Sequence, residues 1–156
     1  MPFYPVPMTM QTFVVLIIGM SFGWRLGTAT IILYLIEGAF GFPVFSGTPE
    51  RGIGIAYMAG PTGGYLLGFV ISATTVGWLA ERGWDRNVLT ALLAMTIGTA
   101  MIFLSGLIWL GVVIGWKKPV FALGLTPFIY GAILKIAMAS ALLPLIWKII
   151  QRVSKR

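Results

Sequence analysis

The sequence predicts an all-α membrane protein, a helical bundle with five visible transmembrane helices, and three observations carry that reading. Apolar residues make up 58% of the 156 and charged residues only 10%, against roughly 45–50% and 25% in soluble domains. The mean hydropathy is +0.96. Polar, Gly-rich and Pro-rich residues collect into short breaks between apolar runs of the length needed to cross about 30 Å of hydrocarbon. One transmembrane domain over residues 1–156 is expected, without a separate soluble domain.

The spans fall near 11–23, 27–41, 62–80, 87–114 and 126–151. The first two are short, and the break between them, Gly23 to Gly27, reads as a hairpin in preference to a kink in one long helix. The third span opens after Gly60-Pro61 and the fifth after Thr126-Pro127. Proline is tolerated at a first helical position, where its missing N–H costs nothing, and Thr126 is placed to cap. Pro144 should kink the last span. Gly60, Gly64, Gly68 and Ser72 recur every four residues along the third span. Such a small-residue ridge lets helices approach closely, within the bundle or against a partner.

The formal net charge of +7 is not a nucleic-acid signal here, because Lys148, Arg152, Lys155 and Arg156 crowd the end of the last span. That is a cytoplasmic anchor pattern. With this tail inside, alternation of the spans brings Arg25, Arg82 and Arg86 inside too, against Arg51, Lys117 and Lys118 outside. The bias gives an outside N-terminus and a cytoplasmic C-terminus. The start shows no basic segment ahead of an apolar core, as a cleavable signal peptide would. An outside start after so short a lead reads as a chain lacking a first helix.

Cysteine and histidine are both absent, which removes disulfides, thiolate chemistry, imidazole metal sites and the usual general base. The serines at 21, 46, 72, 105, 140 and 154 are isolated from any base, so an enzyme is not expected. No Gly-x-x-x-x-Gly-Lys-[Ser/Thr] loop occurs, and the only aspartate, Asp85, lies beside Arg82 and Arg86, so ATP hydrolysis must come from elsewhere.

Lys135 is the residue with the strongest claim to function. It lies nine residues past Thr126, roughly 13 Å down its helix. An ammonium at that depth costs about 2.5–3.5 kcal/mol on insertion scales and by default faces an interior cavity. Gly131, Ala132 and Ala139 share its face, with Phe128 above, which leaves room for a guest. The alternative is a buried ion pair with Glu37. Tyr65 and Phe45 offer rings that either stack on a flat ligand or sit in the interfacial aromatic belt. Glu50 and Arg51 read as a solvated loop pair.

Two blocks carry a family likeness. Pro43-Val44-Phe45-Ser46-Gly47, then Gly60-Pro61-Thr62-Gly63-Gly64-Tyr65 with Leu67-Gly68-Phe69, resemble the BioY family, the biotin-binding S components of energy-coupling-factor (ECF) vitamin transporters. The resemblance implies six helices, of which this chain would lack the first, since Pro2 to Thr12 looks like the segment following it. It implies biotin as transported ligand with no cofactor, a bacterial cell membrane, a transmembrane T component and two cytoplasmic ATPases as partners, or copies of itself. The family motif Pro-Phe-x-x-Gly-Asp-x-x-Lys stands here as Pro127 to Lys135 with Ala132 in place of the aspartate. In the family that aspartate is thought to accept hydrogen bonds from the ureido N–H groups of biotin, so Glu37, Gln11 or Thr99 must replace it. The valerate carboxylate would meet Lys135, and the fused rings would lie among Tyr65, Phe45, Thr62, Gly64 and Phe128 beneath a 42–60 lid. Another carboxylate-bearing vitamin, or a non-transporting interaction subunit, are the competing expectations.

Overall fold

The computed structural model describes residue 6 and residues 9–45 and 52–154. The Glu50–Arg51 pair, the middle of the expected lid and the terminal Lys155 and Arg156 lie outside the described residues.

Helix α1 (Gln11–Ala39) is not one rod. Gly23 breaks it with φ 76° and ψ 176°, a conformation essentially reserved for glycine. The chain reverses there. The Gln11 amide nitrogen donates to the Tyr34 hydroxyl at 2.6 Å, whereas 23 residues of continuous helix would separate them by roughly 34 Å. The arms 11–22 and 24–39 therefore lie antiparallel, as the glycine-rich break predicts, and a Cβ on Gly27 would stand 3.0 Å from the Gly19 Cα.

The tip of this hairpin is seated on α3 (Gly63–Glu81). A Cβ on Gly77 would come within 2.5 Å of the Trp24 nitrogen, so only glycine lets the turn close, and Trp24 N–H donates to Glu81 Oε1 at 3.3 Å. Replacing Gly23 by alanine should cost about 1–3 kcal/mol from the forced backbone conformation. The check is a thermal melt in detergent beside a Phe22→Ala control, a neighbour that is exposed.

A short α2 (Ile55–Met58) precedes α3, which is sandwiched between α1 and α4 (Val88–Ile114). Asn87 caps α4 by accepting from Leu89 N–H at 3.0 Å. A short α5 (Val120–Gly124) and a 3-10 turn over Thr126–Phe128 lead into α6 (Ile129–Ser154). Two helix starts differ from expectation. Thr126 gives its hydroxyl to the Phe121 carbonyl at 3.2 Å instead of capping, and α3 begins two residues after Pro61. Helix α6 continues through Pro144.

Among the described residues, four segments are long and apolar enough to cross a membrane, and the hairpin divides the first of them into two shorter antiparallel arms. Of the Gly60, Gly64, Gly68 and Ser72 ridge, Gly64, Gly68 and Ser72 are buried inside the bundle, whereas Gly60 lies in the turn before α3. A Cβ on Gly68 would stand 2.9 Å from the Ile102 Cα, so α3 and α4 touch backbone to backbone. Two apolar clusters divide the interior: one around Tyr57, Tyr65, Phe69 and Leu110, the other, toward the Gly23 tip, around Leu16, Val76, Met95 and Leu143.

Candidate functional site

A cavity of about 680 Å³, counting its open mouth, lies at the end of the bundle away from the Gly23 tip. Lys135 enters it from α6 half-buried. Its ammonium donates to the Thr9 carbonyl and, at 3.1 Å, to Thr12 Oγ1. An ammonium has three N–H donors, so this arrangement holds the charge at the wall with donor capacity to spare for a guest.

The walls are aromatic and aliphatic. Tyr65 is buried and gives its hydroxyl to the Gly124 carbonyl at 2.8 Å, which fixes the ring edge-on to Phe103 with centroids 6.4 Å apart. Phe103 in turn leans on Phe128 at 6.4 Å. On the other side Tyr57 faces the cavity and stacks on Phe45 at 5.1 Å. Leu16, Leu66, Phe69 and Ile102 complete the apolar surface. Neutral polar groups are set into it: Gln11, whose side-chain oxygen accepts from Thr9 Oγ1 at 3.1 Å, and the buried Thr62 and Thr99.

The structure brings six of the sequence-predicted residues to one cavity: Lys135, Tyr65, Gln11, Thr62, Phe128 and Thr99. It places three elsewhere. Glu37 is exposed, outside the lining, and forms no ion pair with Lys135, so neither the expected pair nor the expected acceptor role has geometric support. Phe45 lies behind Tyr57 with its ring seated on Gly38, where a Cβ would be 2.0 Å from the ring. Gly64 faces α4, since a Cβ there would be 2.2 Å from the Trp109 Cβ. Sequence reasoning missed Thr9, Thr12, Tyr57 and Phe103. Thr9 and Thr12 close the Pro2 to Thr12 stretch, Tyr57 lies between the two family-like blocks, and Phe103 sits one helical turn past Thr99.

Among the described residues the lining holds one cation and no carboxylate. Such a site suits a small molecule with a flat, largely apolar body and an anionic end.

The BioY family profile matches residues 1–152. The "Probable biotin transporter BioY" of Pyrococcus horikoshii is 44% identical over 135 residues, covering 86% of this chain and 76% of that protein. The "Biotin transporter BioY" of Thermotoga maritima is 31% identical over 139 residues, covering 89% and 79%. Among solved structures, the S-component for biotin from an ECF-type ABC transporter superposes with a TM-score of 0.78 at 22% identity, over 95% of this chain and 79% of that one. That last likeness is one of fold.

Proposed function

The chain belongs to the BioY family, and from that premise we propose that it is the membrane-embedded subunit that binds biotin for uptake, with the Lys135 cavity as the binding site. The single observation that carries the reading is that, among the described residues, Lys135 brings the one ammonium into a wall otherwise aromatic, apolar or neutral. Biotin is chemically the converse: a carboxylate on a flexible apolar tail and a flat, uncharged fused ring. The carboxylate meets Lys135 in a charge-assisted hydrogen bond. The ring lies between Tyr65, Phe103 and Phe128, and its ureido group bonds to the neutral acceptors Gln11, Thr62 and Thr99. Those residues stand in for the carboxylate that Ala132 does not supply.

Orientation follows from charge. Arg25, Arg82, Arg86 and Lys148 are exposed at the Gly23 end, away from the cavity, and the more basic end faces the cytoplasm. Ligand thus enters from outside. Energy comes from a T component and two ATPases that dock from the membrane and the cytoplasm.

The decisive experiment is calorimetric titration of the purified protein in nanodiscs. Biotin should bind saturably, one per chain; a featureless titration would end the biotin reading. The neutral ring end of the cavity favours one rival, a different carboxylate-bearing vitamin. Competition separates the two, since under that rival an excess of the other vitamin displaces bound biotin while biotin fails to displace the vitamin.

A further inference from the structure

Tyr34 is not among the residues that line the cavity, yet it reaches two that do. It stands half-buried on the second arm of α1, behind Gln11, whose side-chain nitrogen donates to the Tyr34 hydroxyl at 2.6 Å. The hydroxyl in turn donates to the Val44 carbonyl at 3.1 Å. The Tyr34 ring meets Phe45 edge-on at 5.5 Å, and Phe45 is stacked on Tyr57.

Chemistry fixes the direction of these bonds. A phenol has one hydrogen to give and a carbonyl can only accept, so the hydrogen spent on Val44 leaves Tyr34 an acceptor toward Gln11. Gln11 must therefore meet it with the NH2 group. Turned over, the amide would set its oxygen against the phenol oxygen, lone pair to lone pair, at hydrogen-bond distance. The amide oxygen is held on the other side, where it accepts from Thr9 Oγ1 at 3.1 Å and has a second lone pair to offer. The hollow between the arms of α1 that Gln11 and Tyr34 share is lined largely by aliphatic side chains, Val14, Val15, Ile18 and Ile31 among them. A polar group set in such a wall is costly to leave unpaired, which keeps the amide in one orientation.

We propose that Tyr34 is a positioning residue for the binding site: by taking the Gln11 NH2 group it keeps the Gln11 oxygen available to the cavity, and so commits this wall to a ligand that brings an N–H donor. For that donor the role rests on the biotin reading, the ureido group carrying the N–H; the hold of Tyr34 on Gln11 does not. It also bears on the choice between biotin and another carboxylate-bearing vitamin. A ligand whose body carries only acceptors would meet an acceptor here.

Tyr34→Phe keeps the ring against Phe45 and removes only the hydroxyl. In nanodiscs it should weaken biotin binding about fivefold by calorimetry, the worth of one neutral hydrogen bond. Tyr130→Phe, at a tyrosine 84% exposed and outside the lining, should bind as the parent does. A merely structural role, through the Val44 loop or the Phe45 ring, would weaken binding whatever stands at position 11. Placed in a Gln11→Leu background, Tyr34→Phe should instead cost nothing further, because its effect passes through the amide. Parent-like affinity in Tyr34→Phe overturns the proposal, and so do losses that multiply in the double variant. A second measurement needs no ligand. The chain has two glutamines, so Gln151→Glu leaves Gln11 alone in an NMR spectrum of protein labelled at glutamine. Its NH2 protons should exchange slowly with deuterated solvent when Tyr34 is present and faster in Tyr34→Phe; equal rates overturn the hold of Tyr34, even where Gln11→Leu does not fold. If biotin fails to bind the parent, the carrier reading falls and the exchange rates still decide whether Tyr34 holds Gln11.

Discussion

Replacing Lys135 by alanine should weaken biotin binding by roughly 10- to 150-fold. The lost contact is a hydrogen bond between two charged groups, worth about 1.5–3 kcal/mol, and each 1.4 kcal/mol is a factor of ten. The neighbourhood makes the loss hard to repair. Thr12 and the Thr9 carbonyl hold the ammonium in place, and no other cation lines the cavity among the described residues. The measurement is a calorimetric titration with two ligands. Biotin methyl ester, which has no carboxylate, should bind the parent about as weakly as biotin binds Lys135→Ala. Combining ester and variant should add little further loss, because the two changes remove one interaction. Equal affinity of parent and variant for biotin would take the carboxylate away from this lysine.

Gly64→Leu should destabilise the protein by about 3 kcal/mol, the upper part of the range for overpacking a filled interior. The added Cβ would lie 2.2 Å from the Trp109 Cβ and 2.6 Å from the Ser105 carbonyl oxygen. The second obstacle is backbone, and it cannot rotate aside. A melting temperature lower by about 6–12 °C is expected, beside a Leu67→Ala control on the exposed face of the same turn. The folded fraction should still bind biotin with nearly the parent's affinity. If the melting temperature stays and affinity drops tenfold, Gly64 touches ligand after all and its place against α4 is incidental.

Much of this architecture is legible in the chain. Lys135 announces itself because a cation in an apolar run must be buried against something, and Gly23 because a break with no polar loop must turn tightly. Phe128 and Ala132 follow from Lys135 by helical spacing and do line the cavity. Two of the residues that the structure places outside the cavity share one cause. In a soluble helix the polar face marks the outside; in these helices both faces are apolar, so the pattern does not say which way Glu37 or Gly64 points. Gly64 belongs to the ridge on α3, and only the position of α4 shows that the ridge faces Trp109 and not the ligand. Phe45 fails differently. It sits in a loop, where spacing carries no direction, and Tyr57 stands between it and the cavity. Thr9 and Thr12 come together with Lys135 across more than 120 residues, a contact no local pattern encodes.

The cavity has a floor. Leu16 lines it and also belongs to the packed cluster of Val76, Met95, Ala139 and Leu143 that fills the bundle toward the Gly23 tip. A hollow stopped by solid hydrocarbon halfway down offers ions no continuous watery path. Reconstituted alone, the protein should therefore show no single-channel current at any voltage, and a cell can keep it abundant without draining its membrane potential.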